Sequence, residues 1–383
     1  MPGAPFGVYV HIPFCRRRCD YCAFATWADR HHLWERYASA CRSEAARAAA
    51  TGRGPATSVF FGGGTPSLLP PGLLAGVLRA VEAGVGLAPG AEVTVECNPD
   101  TVDGDKLAAY AEAGVTRLSF GAQSMVPHVL ASLGREHTPG NVERAVEAAA
   151  GAGFGSRYNI DLILGAAGES VADWERSLRA VLALSPAPAH VSAYALTVEP
   201  GTPLAAHPER HPDDDDQATK YLLADELLSA HGLSWYEISN WSLPGAECRH
   251  NQLYWAQGEY IGLGCAAHSH LVREDGWARR WWNVRTPERY CRLVESGERA
   301  EAAGEDLSPQ ARAWEALVLG LRTVGGVERA YVPDELLEEG LVAAPGNGDR
   351  AVLTARGRLL ANEVALRLKP LGPLGRCSTE VSA

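Results

Sequence analysis

The 383-residue sequence has no uninterrupted apolar stretch of the roughly 20 residues that a membrane-spanning helix needs. Its first residues, Met-Pro-Gly-Ala-Pro-Phe-Gly, lack the basic and then apolar pattern of a secretory signal peptide. Positive charge is in deficit as well, since 35 Lys and Arg against 46 Asp and Glu give a net charge of −11. We therefore expect a cytoplasmic protein that does not bind nucleic acid through bulk electrostatics.

The nine cysteines do not form the dense framework of a small, disulfide-rich secreted domain. Six are scattered and are expected to be reduced thiols: Cys41, Cys97, Cys248, Cys265, Cys291 and Cys377. The other three form a C-x3-C-x2-C motif: Cys15, Cys19 and Cys22. Three thiolates on one loop can hold three irons of a four-iron cluster and leave the fourth iron open for chemistry. Structural zinc is the alternative, but it usually takes four ligands.

Short apolar segments alternate with helical patterns along the first half of the chain. The predicted strands are residues 6–12, 58–61, 92–97, 117–121, 158–164 and 190–196. This alternation predicts βαβ units and a parallel sheet. The pattern does not separate an open sheet from a barrel.

Polar and glycine residues follow several of these strands, at the end where parallel-sheet barrels hold their sites. Gly62-Gly63-Gly64-Thr65-Pro66 permits close approach of a ligand to the backbone. Glu96 ends the third strand, and it is either a surface carboxylate or a hydrogen-bond acceptor for a ligand. Asp161 is flanked by apolar residues, so it must be paired or lie at a site. Gln123 and Arg135 follow the fourth strand, and Arg135 can clamp a carboxylate.

The C-x3-C-x2-C motif, with Tyr21 just before its third cysteine, resembles the signature of radical S-adenosylmethionine (SAM) enzymes. The resemblance implies an α/β fold built on a partial (β/α)6 barrel. It also implies a [4Fe–4S] cluster held by Cys15, Cys19 and Cys22, with SAM bound through its amino and carboxylate groups to the open iron.

Further segments resemble the oxygen-independent coproporphyrinogen III oxidase family and its heme-chaperone branch, HemW. They are Tyr-Val-His-Ile-Pro-Phe-Cys, Gly-Gly-Gly-Thr-Pro-Ser, Arg-Leu-Ser-Phe-Gly-Ala-Gln-Ser, Leu-Gly-Arg-Glu-His and Asn-Ile-Asp-Leu-Ile. The resemblance implies that four residues lie near the cluster-bound SAM: Tyr9, Gly64, Glu96 and His268. It implies that the positions holding a second SAM in the oxidase correspond to Tyr21, Gly63, Thr65, Gln123, Arg135, Asp161 and Ala195.

Three features favour the heme-chaperone branch over the oxidase. The oxidase carries a further cysteine where this chain has Phe24, and a long segment where this chain has only residues 1–8. An H-N-x-x-Y-W motif in the second half resembles the heme-binding motif of the branch: His250, Asn251, Tyr254 and Trp255. The spacing alone favours a structural histidine packed under aromatic rings, and it is the resemblance that favours heme binding by His250.

The resemblance implies a radical SAM-type protein that binds heme as cargo and delivers it to acceptor proteins, with SAM turnover left open. One alternative is oxidative decarboxylation of coproporphyrinogen III, and a further one is a related radical SAM methyltransferase. Expected partners include heme, its acceptor proteins, a membrane protein in transient contact, and a second copy in a homodimer. Arg16, Arg17 and Arg18 form either a solvated loop or a landing patch for an acidic electron donor such as a flavodoxin.

We expect three regions: residues 1–232 as the radical SAM core, 233–300 as a connecting region with the H-N-x-x-Y-W motif, and 301–383 as a winged-helix-like appendage. The appendage is predicted to contain helices at 308–322, 333–339 and 354–368, a hairpin turn at 346–349 and a frayed tail at 371–383. Ahead of it, Asp216 is the predicted N-cap of a helix over 217–231.

Overall fold

The computed structural model describes residues 4–369, which divide into two compact units. The larger unit holds the chain up to residue 254 together with 258–271 and 279–305. The smaller unit holds 255–257, 272–278 and the chain from 306 onward. The tail predicted at 371–383 lies outside the described residues, as does Cys377.

Six parallel strands form the centre of the larger unit. They are β1 (Phe6–Ile12), β2 (Ala56–Gly63), β3 (Leu87–Cys97), β4 (Arg117–Gln123), β5 (Tyr158–Leu164) and β6 (His190–Ala195). Each pairs in parallel with the next along the chain. The predicted α/β class and the six predicted strands are therefore confirmed.

Helices connect these strands, as a parallel sheet requires. They are α1 (Trp34–Ala48), α2 (Pro71–Gly84), α3 (Gly104–Glu112), α4 (Pro127–Ser132), α5 (Pro139–Gly151) and α6 (Val171–Leu182), and a further helix, α7 (Asp214–Ala230), follows β6. The strands β1 and β5 are buried on both faces, with only their central residue partly exposed. This double burial is the reason that they read as nearly continuous apolar runs.

Additional strands extend the sheet beyond the six that the sequence predicts. They are β7 (Ser234–Glu237), β8 (Asn240–Ser242), β9 (Glu259–Leu263), β10 (His268–Val272), β11 (Ala278–Asn283) and β12 (Glu301–Leu307). The hydrogen-bonded order is β12-β11-β10-β9-β1-β2-β3-β4-β5-β6-β8-β7. The sheet therefore has two edge strands, β12 and β7, and does not close on itself, so the barrel is a partial one. Two short helices also belong to this half of the chain: α8 (Arg249–Trp255) and α9 (Pro287–Glu295).

The smaller unit is a set of helices with a three-stranded antiparallel sheet, as predicted for the appendage. Its helices are α10 (Pro309–Leu321), α11 (Asp334–Glu338), α12 (Ala355–Leu359) and α13 (Ala361–Leu366). Its strands, β13 (Val327–Glu328), β14 (Val342–Ala343) and β15 (Arg350–Leu353), are ordered β13-β15-β14. The hairpin between β14 and β15 spans the predicted turn.

Two details of the predicted helices are wrong. Helix α7 begins at Asp214, and its N-cap is Asp213 instead of Asp216, because the Asp213 carboxylate accepts the backbone N–H of Asp216. Asp216 thus lies in the first turn, where negative charge is favourable at the positive end of the helix dipole. The predicted final helix is two short helices, because Leu360 leaves the helical region and bonds instead to the carbonyl of Gly357.

Every helix within residues 4–369 is too short or too polar to cross a lipid bilayer.

Candidate cofactor site

The carboxyl ends of the central strands surround a cavity of about 440 Å³. Small-molecule sites commonly have about 300–1,000 Å³. Most of the predicted cluster and SAM residues line this cavity: Cys15, Cys19, Tyr21, Cys22, Gly63, Gly64, Thr65, Glu96, Gln123, Arg135, Asp161 and Ala195. Residues that are far apart in sequence therefore share one site because parallel strands end at the same edge.

The three motif cysteines lie on the loop after β1, and all three are free thiols. The Cys15 backbone anchors this loop, since its N–H donates to Trp27 O (3.1 Å) and its carbonyl lies 2.9 Å from His31 Nε2. Burial raises the pKa of the Cys15 thiol to about 11, and it also raises the pKa of Cys22. The thiols of Cys15 and Cys22 are therefore protonated at neutral pH without a ligand that stabilises the thiolate.

Two polar side chains contact the thiols from the cavity wall. The hydroxyl of Thr65 lies 3.7 Å from Cys15 Sγ, and Arg135 Nη1 lies 3.5 Å from Cys19 Sγ. Free thiols on one loop, with donors directed at sulfur, fit an iron–sulfur cluster, whose ligands are thiolates tuned by such hydrogen bonds. Among residues 4–369, no group of three or more His, Cys, Asp or Glu side chains is arranged to hold a single metal ion.

The glycine loop after β2 is fastened to the cysteine loop. Gly64 N donates to Ile12 O (2.8 Å) and Thr65 N donates to Phe14 O (2.8 Å). Gly63 has φ of +108°, and a Cβ there would lie 2.3 Å from the ring of His11. Only glycine fits that backbone conformation and that close approach. The loop therefore presents bare backbone to the cavity.

Two partly buried carboxylates face the cavity from β3 and β5, the strands on either side of β4. Glu96 Oε2 accepts the backbone N–H of Gly63 (3.0 Å), and burial, with a contribution from Asp161, raises the pKa of Glu96 to about 8. Asp161 accepts from Ser119 Oγ (2.9 Å) and from Asn159 Nδ2 (2.7 Å), and burial raises its pKa. The pair suits a ligand that carries hydroxyl or ammonium donors.

Arg135 and Gln123 complete the wall opposite the glycine loop. Arg135 Nη2 donates to Gly121 O (2.9 Å), whereas its buried Nε has no partner among the described residues. An unpaired buried N–H is costly, so this group fits a ligand carboxylate. Gln123 adopts φ of +65° at a bulge in β4, a strained conformation that often marks a functional site. The sequence did not predict this strain.

Tyr9 and His268 do not line the cavity. Tyr9 lies inside the barrel on β1, with its hydroxyl 3.0 Å from His11 Nδ1, and burial and the charge of Glu96 raise its pKa. His268 begins β10, is exposed, and stacks on Trp282 with 5.5 Å between ring centroids. Ser119 and Tyr194 do line the cavity but were not predicted. The alternation of polar and apolar residues in β4 was the available signal for Ser119.

The H-N-x-x-Y-W motif lies on α8, next to the amino-terminal half of β2 rather than beside the cysteines. His250 is 1% exposed, with Nδ1 2.9 Å from Ser58 Oγ and Nε2 2.8 Å from Tyr254 OH. Its ring stacks on Phe60 at 5.3 Å, and burial lowers its pKa to about 3. Both ring nitrogens are therefore occupied and the ring is neutral. Asn251 and the last two residues of the motif are partly exposed.

Known proteins share both the sequence and the fold of this chain. The radical SAM superfamily model matches residues 9–181. The heme chaperone HemW of Mycobacterium tuberculosis is 42% identical, with 96% of each chain covered. The HemW of Escherichia coli is 37% identical over 78% of this chain and 79% of its own. The solved coproporphyrinogen III oxidase of Escherichia coli has a TM-score of 0.80 at 22% identity, over 96% of this chain and 90% of its own, which shows a shared fold. The chain belongs to the HemW heme chaperone family within the radical SAM superfamily.

Proposed function

We propose that this protein is a heme chaperone that binds a [4Fe–4S] cluster and SAM and delivers heme to acceptor proteins. The cavity supports the proposal best, because it combines three free thiols, bare glycine backbone, two carboxylates and an unpaired arginine N–H. The 42% identity to a heme chaperone over nearly the whole chain supports the cargo.

In this proposal Cys15, Cys19 and Cys22 hold the cluster. When bound, the cluster supplies an open iron and a low-potential electron. The chain's own contribution is to orient and shield. Thr65 and Arg135 donate to cysteine sulfurs, which stabilises the thiolate form of these ligands.

SAM fits the remaining groups of the cavity. The Arg135 Nε–H is available for its carboxylate, and the bare backbone of the glycine loop for its amino group. Glu96 and Asp161 are available for its ribose hydroxyls, and their negative charge favours a cationic ligand.

Heme binding is assigned to the H-N-x-x-Y-W motif on α8. A neutral imidazole is the form that binds iron, and the low pKa of His250 keeps it neutral at physiological pH. Because its Nε2 is bonded to Tyr254 and its ring is buried, α8 must leave this position before His250 binds iron. Heme loading in this proposal therefore includes an opening of α8.

We also propose that an acidic electron donor such as a flavodoxin docks at the cavity rim. Arg16, Arg17 and Arg18 line the rim, and Phe24 beside them is 66% exposed. All cysteines within residues 4–369 are free thiols, which supports a reducing compartment such as the cytoplasm.

The test is an anaerobic heme titration of the cluster-reconstituted protein, followed by absorbance. We expect saturable binding at one site, weakened at least about tenfold in His250→Ala. His137→Ala is the matched control, because His137 is also buried but bonds only to Ala122 O within the cavity half of the barrel. The absence of specific heme binding, together with protoporphyrinogen formation from coproporphyrinogen III, SAM and reductant, would favour the oxidase alternative instead.

A further inference from the structure

A continuous set of polar groups crosses the interior of the barrel, from the cavity to the segment that begins α8. We call it the interior chain, and its members are Asp161, Asn159, His190, Tyr236 and the backbone N–H of Cys248. Apart from the cavity-lining Asp161, these residues are at most 6% exposed. Polar groups buried this deeply must be hydrogen-bonded to be tolerated.

Each link of the interior chain is a hydrogen bond between side chains until the last, which reaches the backbone. Asn159 Nδ2 lies 2.7 Å from Asp161 Oδ1, and Asn159 Oδ1 lies 2.6 Å from His190 Nδ1. His190 Nε2 lies 2.8 Å from Tyr236 OH, which in turn accepts the N–H of Cys248 at 3.4 Å.

The direction of every bond follows from the carboxylate at one end. Asp161 only accepts, so Asn159 must present its NH₂ there and its carbonyl to His190. His190 must then carry its proton on Nδ1, and burial lowers its pKa well below the usual range, so the ring is neutral. Its Nε2 is left as an acceptor for the hydroxyl of Tyr236. Ser119 and Ser192 bond to the same Asn159 amide, so Asp161 acts together with them in setting the direction of the bonds as far as Cys248.

The far end of the interior chain holds the segment that carries the H-N-x-x-Y-W motif. Cys248 is two residues before His250, and Glu92 accepts from both Cys248 Sγ (3.6 Å) and the backbone N–H of His250 (3.2 Å). Arg117 Nη1 donates to Ala246 O (2.8 Å) in the same segment. The bond from the Cys248 N–H to Tyr236 adds to these contacts, so its loss removes one of the bonds that hold the start of α8.

We propose that Asn159, His190 and Tyr236 are positioning residues. They couple the binding of a ligand at Asp161 to whether α8 stays in its packed position or opens. The proposal rests on the proposed function, in which SAM contacts Asp161 and heme binds His250. A ligand donor that bonds to Asp161 competes with Asn159 for the carboxylate, and the change passes along bonds whose directions depend on one another. Occupancy of the cofactor cavity thereby alters the free energy of opening α8 for heme.

The first test needs neither SAM nor heme. Deuterium uptake of the segment 246–254 is measured in the anaerobic, cluster-loaded protein and in Tyr236→Phe and Asp161→Ala. Tyr158→Phe is the matched control, because Tyr158 is a buried tyrosine whose hydroxyl donates to Pro186 O outside the interior chain. Unfolding temperatures of all variants identify any global destabilisation.

We expect amide exchange in 246–254 to be at least about fivefold faster in Tyr236→Phe and Asp161→Ala, and unchanged in Tyr158→Phe. Glu96→Gln changes the other carboxylate of the same cavity and is expected to leave the segment unchanged. Equal exchange in all variants would overturn the proposal. So would an effect of Glu96→Gln without one of Asp161→Ala, because the coupling would then not pass through Asp161.

The second test measures coupling between the ligands themselves. The ratio of heme dissociation constants with and without saturating SAM, in the absence of reductant, is expected to differ from one by at least about fivefold in the unmodified protein. It is expected to return close to one in Tyr236→Phe and not in Tyr158→Phe. A ratio of one in the unmodified protein, or the same ratio in both variants, contradicts the proposal. If the unmodified protein binds neither ligand, the proposed function fails, and the exchange experiment still decides whether the interior chain holds α8.

Discussion

At the scale of single residues, Arg135 is the side chain whose surroundings are most clearly incomplete. Two of its nitrogens bond to Cys19 Sγ and Gly121 O, and its buried Nε has no partner within residues 4–369. A buried donor without an acceptor is a cost that a bound carboxylate removes. In the proposed function Arg135 would therefore contact both cofactors, the cluster through a cysteine sulfur and SAM directly.

Replacing Arg135 by glutamine is expected to weaken SAM binding about 10- to 100-fold, because a charge-assisted hydrogen bond is lost. Equilibrium dialysis of SAM against the cluster-loaded protein measures this change. Arg179→Gln is the control, since Arg179 is exposed and pairs only with Glu175 on α6. Unchanged SAM affinity in Arg135→Gln would show that its Nε does not bind the ligand.

Glu96 gives a second expectation, for the pH dependence of SAM binding. Its pKa of about 8 means that the free site holds a proton on Glu96 at neutral pH, and a cationic ligand favours the ionised form. Asp161 is the titratable group that adds to this rise, and burial raises its own pKa as well. Protons therefore compete with SAM below pH 8, so affinity rises as pH increases towards that value and levels off above it.

The measurement is the ratio of SAM dissociation constants for Glu96→Gln and for the unmodified protein, from pH 6.5 to 8.5. Protonation of SAM itself cancels in this ratio. We expect the ratio to increase about tenfold over that range, because only the unmodified protein gains a negative charge at this position. A ratio that does not change with pH would mean that Glu96 does not interact with the cation.

At the scale of elements, the six central strands could be predicted from the sequence, whereas the strands that extend the sheet beyond them could not. Strands β1 and β5 are apolar over their full length because both faces are buried, and their predicted bounds are those of the structure. Strands β7 and β8 have only four and three residues, and β12 is polar and mostly exposed. Such segments carry no periodic signal, and pairing with the existing sheet decides their conformation.

Part of the site could likewise be predicted from the sequence, and part of it could not. The cysteine loop and the glycine loop are contiguous in sequence, so a motif identifies them. The position of α8 follows only from tertiary packing, which buries His250 against Phe60 and Ser58. The interior chain also escapes sequence analysis, because Asn159, His190 and Tyr236 are scattered polar residues until the barrel brings them together.

Weakening the contacts that hold α8 in its packed position is expected to favour heme binding. Ser58→Ala removes the partner of His250 Nδ1, so opening α8 costs about 1 kcal/mol less and heme affinity increases about fivefold. Heme titration followed by absorbance measures the change. Ser177→Ala is a matched control. Ser177 is also buried and hydrogen-bonded, but it lies on α6 and bonds to Ser124. Equal or weaker heme binding in Ser58→Ala would contradict an opening of α8.

At the scale of the whole molecule, the net negative charge opposes the approach of an acidic electron donor. A local patch of positive charge offsets this repulsion. The net charge of −11 repels an acidic electron donor at long range. Arg16, Arg17 and Arg18 lie at the rim of the cavity that holds the cysteines, and Arg17 pairs with Glu136 at 3.1 Å. A donor that approaches this rim meets positive charge at the point where its electron is needed.

Replacing these three arginines by serine is expected to slow cluster reduction by flavodoxin about tenfold at low ionic strength, because steering by charge is lost. The matched control replaces Arg157, Arg176 and Arg179 by serine. It removes an equal number of positive charges from another part of the larger unit. Stopped-flow absorbance of the cluster measures the rate, from about 10 mM to about 500 mM salt. The difference between the two variants should disappear at high salt, where the Debye length falls to a few ångströms. Equal rates in both variants at low salt would mean that the overall charge governs the encounter, and that the rim arginines are only a solvated loop.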